Sequence, residues 1–500
     1  MIYNHLTAFL VSMLLFSSPA YAQQKPNVII IYADDLGYGD LGSYGATKIN
    51  TPNLDQLAKE GIRFTNAHAA AATCTPSRYA MLTGQYPWRR NARVLAGDAP
   101  LLIDTNTFTL QKLFQIQGYS TAIIGKWHLG LGGETGKNWN AEIIPGPRET
   151  GFDYSFIFPA TADRVPTIFL ENQKVVGLEA GDAIQVDYTK KIGNEPTGKE
   201  NPELLKMKAS PHHGHENTIV NGIGRIGWMT GGQSARWTDE ELGFTFFEKV
   251  KSYIRDKKNK PFFLFYSLTE PHVPRMPATM FKGKSGLGYR GDAILQIDYT
   301  VGELMAFLKA NELDKNTFII FSSDNGPVLD DGYEDGAVTQ QNDHTPAGHL
   351  RGGKYSAFEG GTRVPTIAWW PGKIAPGTSN AMISQMDFLQ SFAAWFGNNI
   401  SLEANGENVM NALLGKSRQG REFLVKEGGA RSIIWNDWKY IEPRQGPALL
   451  ALTNIESGNS RTPQLYNLKD DPGEKMNVAE KYPLQVEEMR GMMEREVRER

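Results

Sequence analysis

Val28-Ile29-Ile30-Ile31-Tyr32 is an unbroken apolar run that meets Asp34-Asp35 one alanine later. A run without polar alternation marks a strand covered on both faces, the condition of a parallel sheet flanked by helices. The same design recurs along the chain. Thr121-Ala122-Ile123-Ile124 leads into Lys126-Trp127-His128, and Phe262-Phe263-Leu264-Phe265-Tyr266 into Glu270-Pro271-His272. Phe318-Ile319-Ile320-Phe321 leads into Ser323-Asp324-Asn325-Gly326. Helical patterns fall between these runs at 53–61, 109–118 and 293–308. The fold class that follows is α/β, a large mostly parallel sheet sandwiched by helices. Ligands of such sheets bind outside the carboxyl ends of the strands, so the polar residues above converge on one rim.

Outward from this core the pattern weakens. Gly397-Asn398-Asn399 and a polar segment place a boundary near 400. Beyond it Ser432-Ile433-Ile434-Trp435, Trp438-Lys439-Tyr440-Ile441 and Gln464-Leu465-Tyr466-Asn467-Leu468 read as short strands, followed by a charged helix from Pro483. The expectation is a catalytic domain over 23–400 and a C-terminal subdomain over 401–500, a smaller antiparallel sheet with a terminal helix. Residues 1–22 read as a cleaved signal peptide: Leu6 to Phe16 is apolar, and Ala20-Tyr21-Ala22 offers a small-x-small cleavage site, though no Lys or Arg precedes the run. No cysteine follows that site and no later stretch has the length of a membrane helix, so the expected location is secreted or periplasmic, without stable membrane insertion. With 40% hydrophobic and 21% charged residues the chain is ordinary globular, and its net charge of -3 argues against nucleic-acid partners.

Asp34 and Asp35 end one strand, and Asp324 and Asn325 end another. Such residues ordinarily cap helices and turns. Paired across two strands, they also form an all-oxygen donor set without histidine, which suits calcium or magnesium better than zinc. The one cysteine, Cys74, lies in Cys74-Thr75-Pro76-Ser77-Arg78. A single cysteine makes neither an internal disulfide nor a zinc site, and by itself reads as a small buried hydrophobe. Pro76 suggests a helix starting beside it, which puts Arg78 about one turn on, able to reach whatever Cys74 becomes.

Cys-x-Pro-x-Arg followed by Tyr79-Ala80-Met81-Leu82-Thr83-Gly84 resembles the formylglycine signature of the type I sulfatases. Gly125-Lys126-Trp127-His128-Leu129-Gly130 is similar to a second box of that family, and Leu465-Tyr466-Asn467-Leu468-Lys469-Asp470-Asp471-Pro472 to its C-terminal segment. The resemblance implies an alkaline phosphatase-like fold and sulfate-ester hydrolysis. It further implies oxidation of Cys74 by a maturation enzyme to formylglycine, whose hydrate attacks sulfur and later releases sulfate by re-forming the aldehyde. Asp34, Asp35, Asp324 and Asn325 would bind calcium, with magnesium as the substitute. Arg78, Lys126 and Lys354 would balance charge on the sulfate, His128 would act as base, and His272 would protonate the leaving alcohol. Histidine suits both tasks because it titrates near working pH.

The substrate is less legible. The long polar stretch 328–350 follows the metal candidates directly, and Asp330, Asp331 and His344 on it are the expected sugar-binding residues. His212-His213-Gly214-His215 offers a metal patch but lacks zinc spacing and reads rather as a solvated loop; Trp228 and Trp237 offer stacking faces for a sugar ring but read rather as core. The expected reaction is exo-acting removal of sulfate from a sulfated glycan, galactose or N-acetylgalactosamine sulfated at the 6-position. The alternatives are a phosphonate monoester or phosphodiester hydrolase with the same fold, and a non-catalytic exported glycan-binding protein.

Overall fold

The structure is a computed structural model that describes residues 25–398 and 404–498. The expected signal peptide over 1–22 and the expected boundary between 400 and 401 lie outside the described residues. A ten-stranded sheet forms the centre. Its parallel middle runs in the order Thr317–Ser323, Asn27–Ala33, Phe262–Ser267, Ser120–Lys126 and Tyr154–Phe158. Antiparallel strands extend it on both sides, beginning with Thr366–Trp369 beside Thr317–Ser323 and Leu170–Glu171 beside Tyr154–Phe158.

Every residue of Asn27–Ala33 is buried, and its side chains alternate between two cores. Val28, Ile30 and Tyr32 enter one together with Phe263, Phe265, Phe318 and Ile320. Ile29, Ile31 and Ala33 enter the other with Leu264, Tyr266, Ile319 and Phe321. Both faces need a cover, which is why the run has no polar side. Helices Cys74–Thr83, Leu110–Ile116 and Phe388–Trp395 cover the first face; Pro52–Glu60, Leu242–Lys257 and Gly288–Ala310 cover the second. At roughly 1.5–3 kcal/mol for each large apolar side chain, this double burial dominates stability.

The C-terminal part forms the expected antiparallel sheet, in the order Phe423–Glu427, Arg431–Trp435, Trp438–Ile441 and Gln464–Asn467, with the helix Pro483–Arg498 packed on it. It does not stand apart. Leu424, Ile433 and Met489 share a core with Ala80 and Tyr86, at and just beyond the helix that carries Cys74. A fully buried ion network adds a polar link. Glu359 meets Lys426 at 2.6 Å and Lys439 at 3.0 Å, and Lys439 meets Glu474 at 2.8 Å.

Candidate active site

The carboxyl ends of four adjacent parallel strands deliver the polar residues to one rim. Asp34 and Asp35 follow Asn27–Ala33, and Asp324 and Asn325 follow Thr317–Ser323. Lys126 ends Ser120–Lys126, and His272 lies on the loop after Phe262–Ser267. Gly125 makes this approach possible: its φ is 116°, and a Cβ there would lie 1.7 Å from the Ser267 carbonyl oxygen. Cys74 is the first residue of the helix Cys74–Thr83, so Pro76 stands third in it rather than at its start.

Among the described residues, ligand atoms of Asp34, Asp35, Cys74 and Asp324 lie within 4.8 Å of one another. Cys74 Sγ is 3.6 Å from Asp34 Oδ1. Lys126 Nζ lies 2.5 Å from Asp34 Oδ2, and Lys354 Nζ bridges Asp35 at 2.9 Å and Asp331 at 2.7 Å. Arg78 lies close enough to Cys74 for that side chain to act on its charge, but its main partner is one that the helix spacing did not show. Its guanidinium grips Asp324 Oδ2, with Nε at 3.0 Å and Nη2 at 2.9 Å, and its Nη1 donates to Ser267 and to the Lys126 carbonyl. Asp34, Asp35, Asp324 and Asp331 thus exceed Arg78, Lys126 and Lys354 by one charge. Burial, and then the neighbouring Asp324, push the Asp34 carboxyl well above its ordinary range. Burial opposes ionisation of Asp35 as well, but Lys354 and Lys126 hold that carboxyl below it. The Oδ1 of Asn325 is buried without a hydrogen-bond partner, while its Nδ2 donates to Asp35. A crowd of acids beside an orphaned amide oxygen fits a hard divalent cation.

Two histidines flank this floor, and their partners settle which nitrogen carries the proton. His128 Nε2 lies 3.0 Å from the Leu95 carbonyl, which only accepts, so Nε2 donates and Nδ1 presents a lone pair. That Nδ1 is buried without a partner. His272 Nδ1 donates to the Val273 carbonyl at 2.7 Å, leaving Nε2 3.8 Å from Asp35 and 4.0 Å from Asp331. Burial lowers both imidazoles well below the usual value, helped by Lys126 and Arg164 at His128 and by Lys354 and Lys126 at His272.

A family model of sulfatases matches residues 26–398. The chain belongs to the type I sulfatase family. It is 50% identical over 476 residues to an N-acetylgalactosamine-6-O-sulfatase of Bacteroides thetaiotaomicron, covering 94% of this chain and 93% of that one. Human arylsulfatase A is 30% identical, with 91% of this chain and 83% of the relative covered. A solved sulfatase structure from work on the metabolism of multiple glycosaminoglycans by Bacteroides thetaiotaomicron superposes with a TM-score of 0.93 at 50% identity, covering 95% of this chain and all of that one. A structure of Ps i-CgsB in complex with a neocarrahexaose matches with a TM-score of 0.66 at 26% identity, covering 94% and 92%. The alkaline phosphatase-like fold and the activity of a sulfuric ester hydrolase follow from this membership.

The sulfatase opens above Cys74 into a cavity of about 490 Å³. His128, His272, Asp331 and Lys354 line its base. Of the expected sugar contacts, Asp331 alone lines it. Asp330 turns to Ser210 and the Gly332 amide, with His213 at 3.8 Å. His344 corrects the expectation for the long polar stretch: it is buried and bonds Asp40 at 2.9 Å, and Asp40 in turn pairs with Arg290. It braces the back of the Asp35 loop instead of facing sugar.

The rest of the cavity wall was not foreseen. Asp163 and Arg164 line it, as do His212, His213 and His215, the segment read as a solvated loop. Leu449 to Thr453 close another side, with Leu449 and Leu452 exposed at about half their surface. The dipeptide Asp163-Arg164 was the available signal, but nothing in one sequence buries it or pairs it with His215.

Proposed function

We propose that this sulfatase is an exported, exo-acting enzyme that removes the 6-O-sulfate of N-acetylgalactosamine or galactose in a sulfated glycan. In this reading a maturation enzyme converts Cys74 to formylglycine, and Asp34, Asp35, Asp324 and Asn325 hold calcium, with magnesium as a substitute. The observation that carries the reading is the cavity itself. The reactive position lies at its base, and its wall combines a carboxylate, a guanidinium and imidazoles with apolar leucines, the mixture that a hydroxyl-rich ring with one apolar face requires. The activity named for the Bacteroides relative, half identical along nearly the whole chain, supports the choice of sugar and position.

A formylglycine at position 74 would supply a hydrate as nucleophile in place of a thiol, and the cation a Lewis acid for the sulfate oxygens. The chain's own residues do the remaining work. Lys126 and Lys354 bring positive charge to the sulfate, and Arg78 holds Asp324 in place. His128 Nδ1, unprotonated and unpartnered, accepts a proton at the position-74 side chain. His272 Nε2 gives one to the leaving alcohol oxygen. Burial, and then Lys354 and Lys126, favour the neutral form of His272; a sulfate anion beside the two lysines offsets their part and so favours the protonated acid. Asp163 stays ionised: burial opposes this, but Arg164 and His215 hold its carboxyl well below the ordinary range, ready to accept a sugar hydroxyl.

The test measures sulfate release from 6-sulfated N-acetylgalactosamine, galactose and N-acetylglucosamine. Turnover of the two galacto sugars with poor use of the gluco epimer is the expected result. Preference for the gluco sugar rejects the assigned acceptor.

A further inference from the structure

A second cavity, about 330 Å³, opens beside the first. Val94, Tyr355 and Leu450 line both, so the two share a wall. The second is of different character. Arg93 and Arg444 line it, and both are exposed. Glu427 is the one carboxylate in its lining; its Oε1 lies 3.6 Å from Arg93 Nη1. Its other oxygen, Oε2, is buried with no hydrogen-bond partner. Two guanidinium groups against one carboxylate leave the cavity with a net positive lining. Gly428 and Gly429 contribute only backbone to it.

We propose that this cavity is a second subsite, which binds an anionic group on the sugar linked to the sulfated one. The inference rests on reading the first cavity as the site of the sulfated sugar. Arginine suits a carboxylate or sulfate because its planar fork matches their geometry. The orphaned Glu427 Oε2 completes the recognition, since it accepts from a hydroxyl of the same ring. An acidic sugar offers both groups at once; a neutral sugar uses only the second. Net charge over the whole chain is -3, so this attraction is local and serves an anion already delivered by the glycan.

The test compares disaccharides that present the same 6-sulfated sugar linked to different neighbours: a hexuronate, its carboxyl-reduced neutral counterpart, and the neutral counterpart carrying one sulfate. The readout is the ratio of kcat/KM for each anionic neighbour to that for the neutral one, taken within each protein. In the unaltered enzyme the ratio should be about tenfold for one anion or both, expressed in KM and shrinking as salt rises. Whichever anion gives it names the group. The Arg93→Gln, Arg444→Gln double variant should bring the ratio to one; both side chains are exposed, so folding tolerates the change. A ratio of one in the unaltered enzyme, or a ratio that survives in the variant, overturns the proposal. If the enzyme accepts a different sulfated sugar, that sugar replaces the first ring in all three compounds. The ratio then still reads the second subsite, while the reading of the first fails separately.

Discussion

His215 Nε2 lies 2.9 Å from Asp163 Oδ2, and that bond ties two loops remote in sequence into one wall of the pocket. The loop with Asp331 locks against the same ring. Gly332 has a φ of 118°, and a Cβ there would stand 2.1 Å from the His215 imidazole. Tyr333 packs on that ring with centroids 4.6 Å apart.

Asp163→Asn should therefore lower kcat/KM on the sugar substrate by roughly tenfold to a hundredfold, the worth of a hydrogen bond to a charged group, and spare a small aryl sulfate. It should also change stability with pH. A carboxyl depressed in the folded state contributes stability that is fully present above its unfolded value, about 3.9, and lost as pH falls through the folded value. Thermal melts of the two proteins should differ at pH 7 and converge below about pH 4. A gap that widens in acid contradicts the assignment.

Cys74 is buried, and burial pushes its thiol well above the usual value, so as a plain cysteine it is a poor nucleophile. Active protein made in a host with a maturation system should yield a position-74 peptide without its thiol by mass analysis. Cys74→Ala should abolish turnover with little change in melting temperature. Full activity from protein carrying only intact cysteine would refute the mechanism.

Chelation should remove activity, and calcium or magnesium should restore it and raise the melting temperature; at a hundred times the dissociation constant the gain is about 2.7 kcal/mol. Asp324→Ala should cost more than metal, because it strands buried Arg78, a loss of about 3–5 kcal/mol. Activity that needs stoichiometric zinc instead would reject the donor-set argument.

His272→Ala should slow release of a sugar alcohol by about a hundredfold to ten-thousandfold, while an activated phenol sulfate, which leaves without a proton, loses far less. Equal losses on both substrates would remove the acid role from His272.

Glu359→Ala leaves Lys426 and Lys439 buried without their shared partner, at a cost of about 3–5 kcal/mol. Burial already lowers the Lys426 ammonium to about 8 despite Glu359. Denaturant melts should show the loss, and limited proteolysis should cut first in the C-terminal sheet. An unchanged midpoint would show that the apolar core around Tyr86 suffices to hold that sheet.

The parallel core and the floor of the site were legible because each depends on contiguous residues. The runs ending at Asp34, Lys126 and Asp324 had to be strands covered on both faces, and their ends had to meet on one rim. Arg78 was legible on its helix, but its main partner was not. Helix spacing fixes the turn from which a side chain leaves, whereas its target is decided by Asp324, 246 positions away. His344 misled for the same reason: a polar loop residue looks available to ligand until its partner, Asp40, 304 positions earlier, is known.

From the sequence alone came the fold class and the candidate site residues Cys74, Asp34, Asp35, Asp324, Asn325, His128 and His272, since periodicity and short motifs are local properties of the chain. The tertiary structure alone decided what surrounds them. Asp163, His215, Tyr355 and the segment 449–453 meet only after the sheet has twisted and the C-terminal part has docked. Their grouping depends on loop paths set by long-range packing, and no spacing in a single chain encodes such paths.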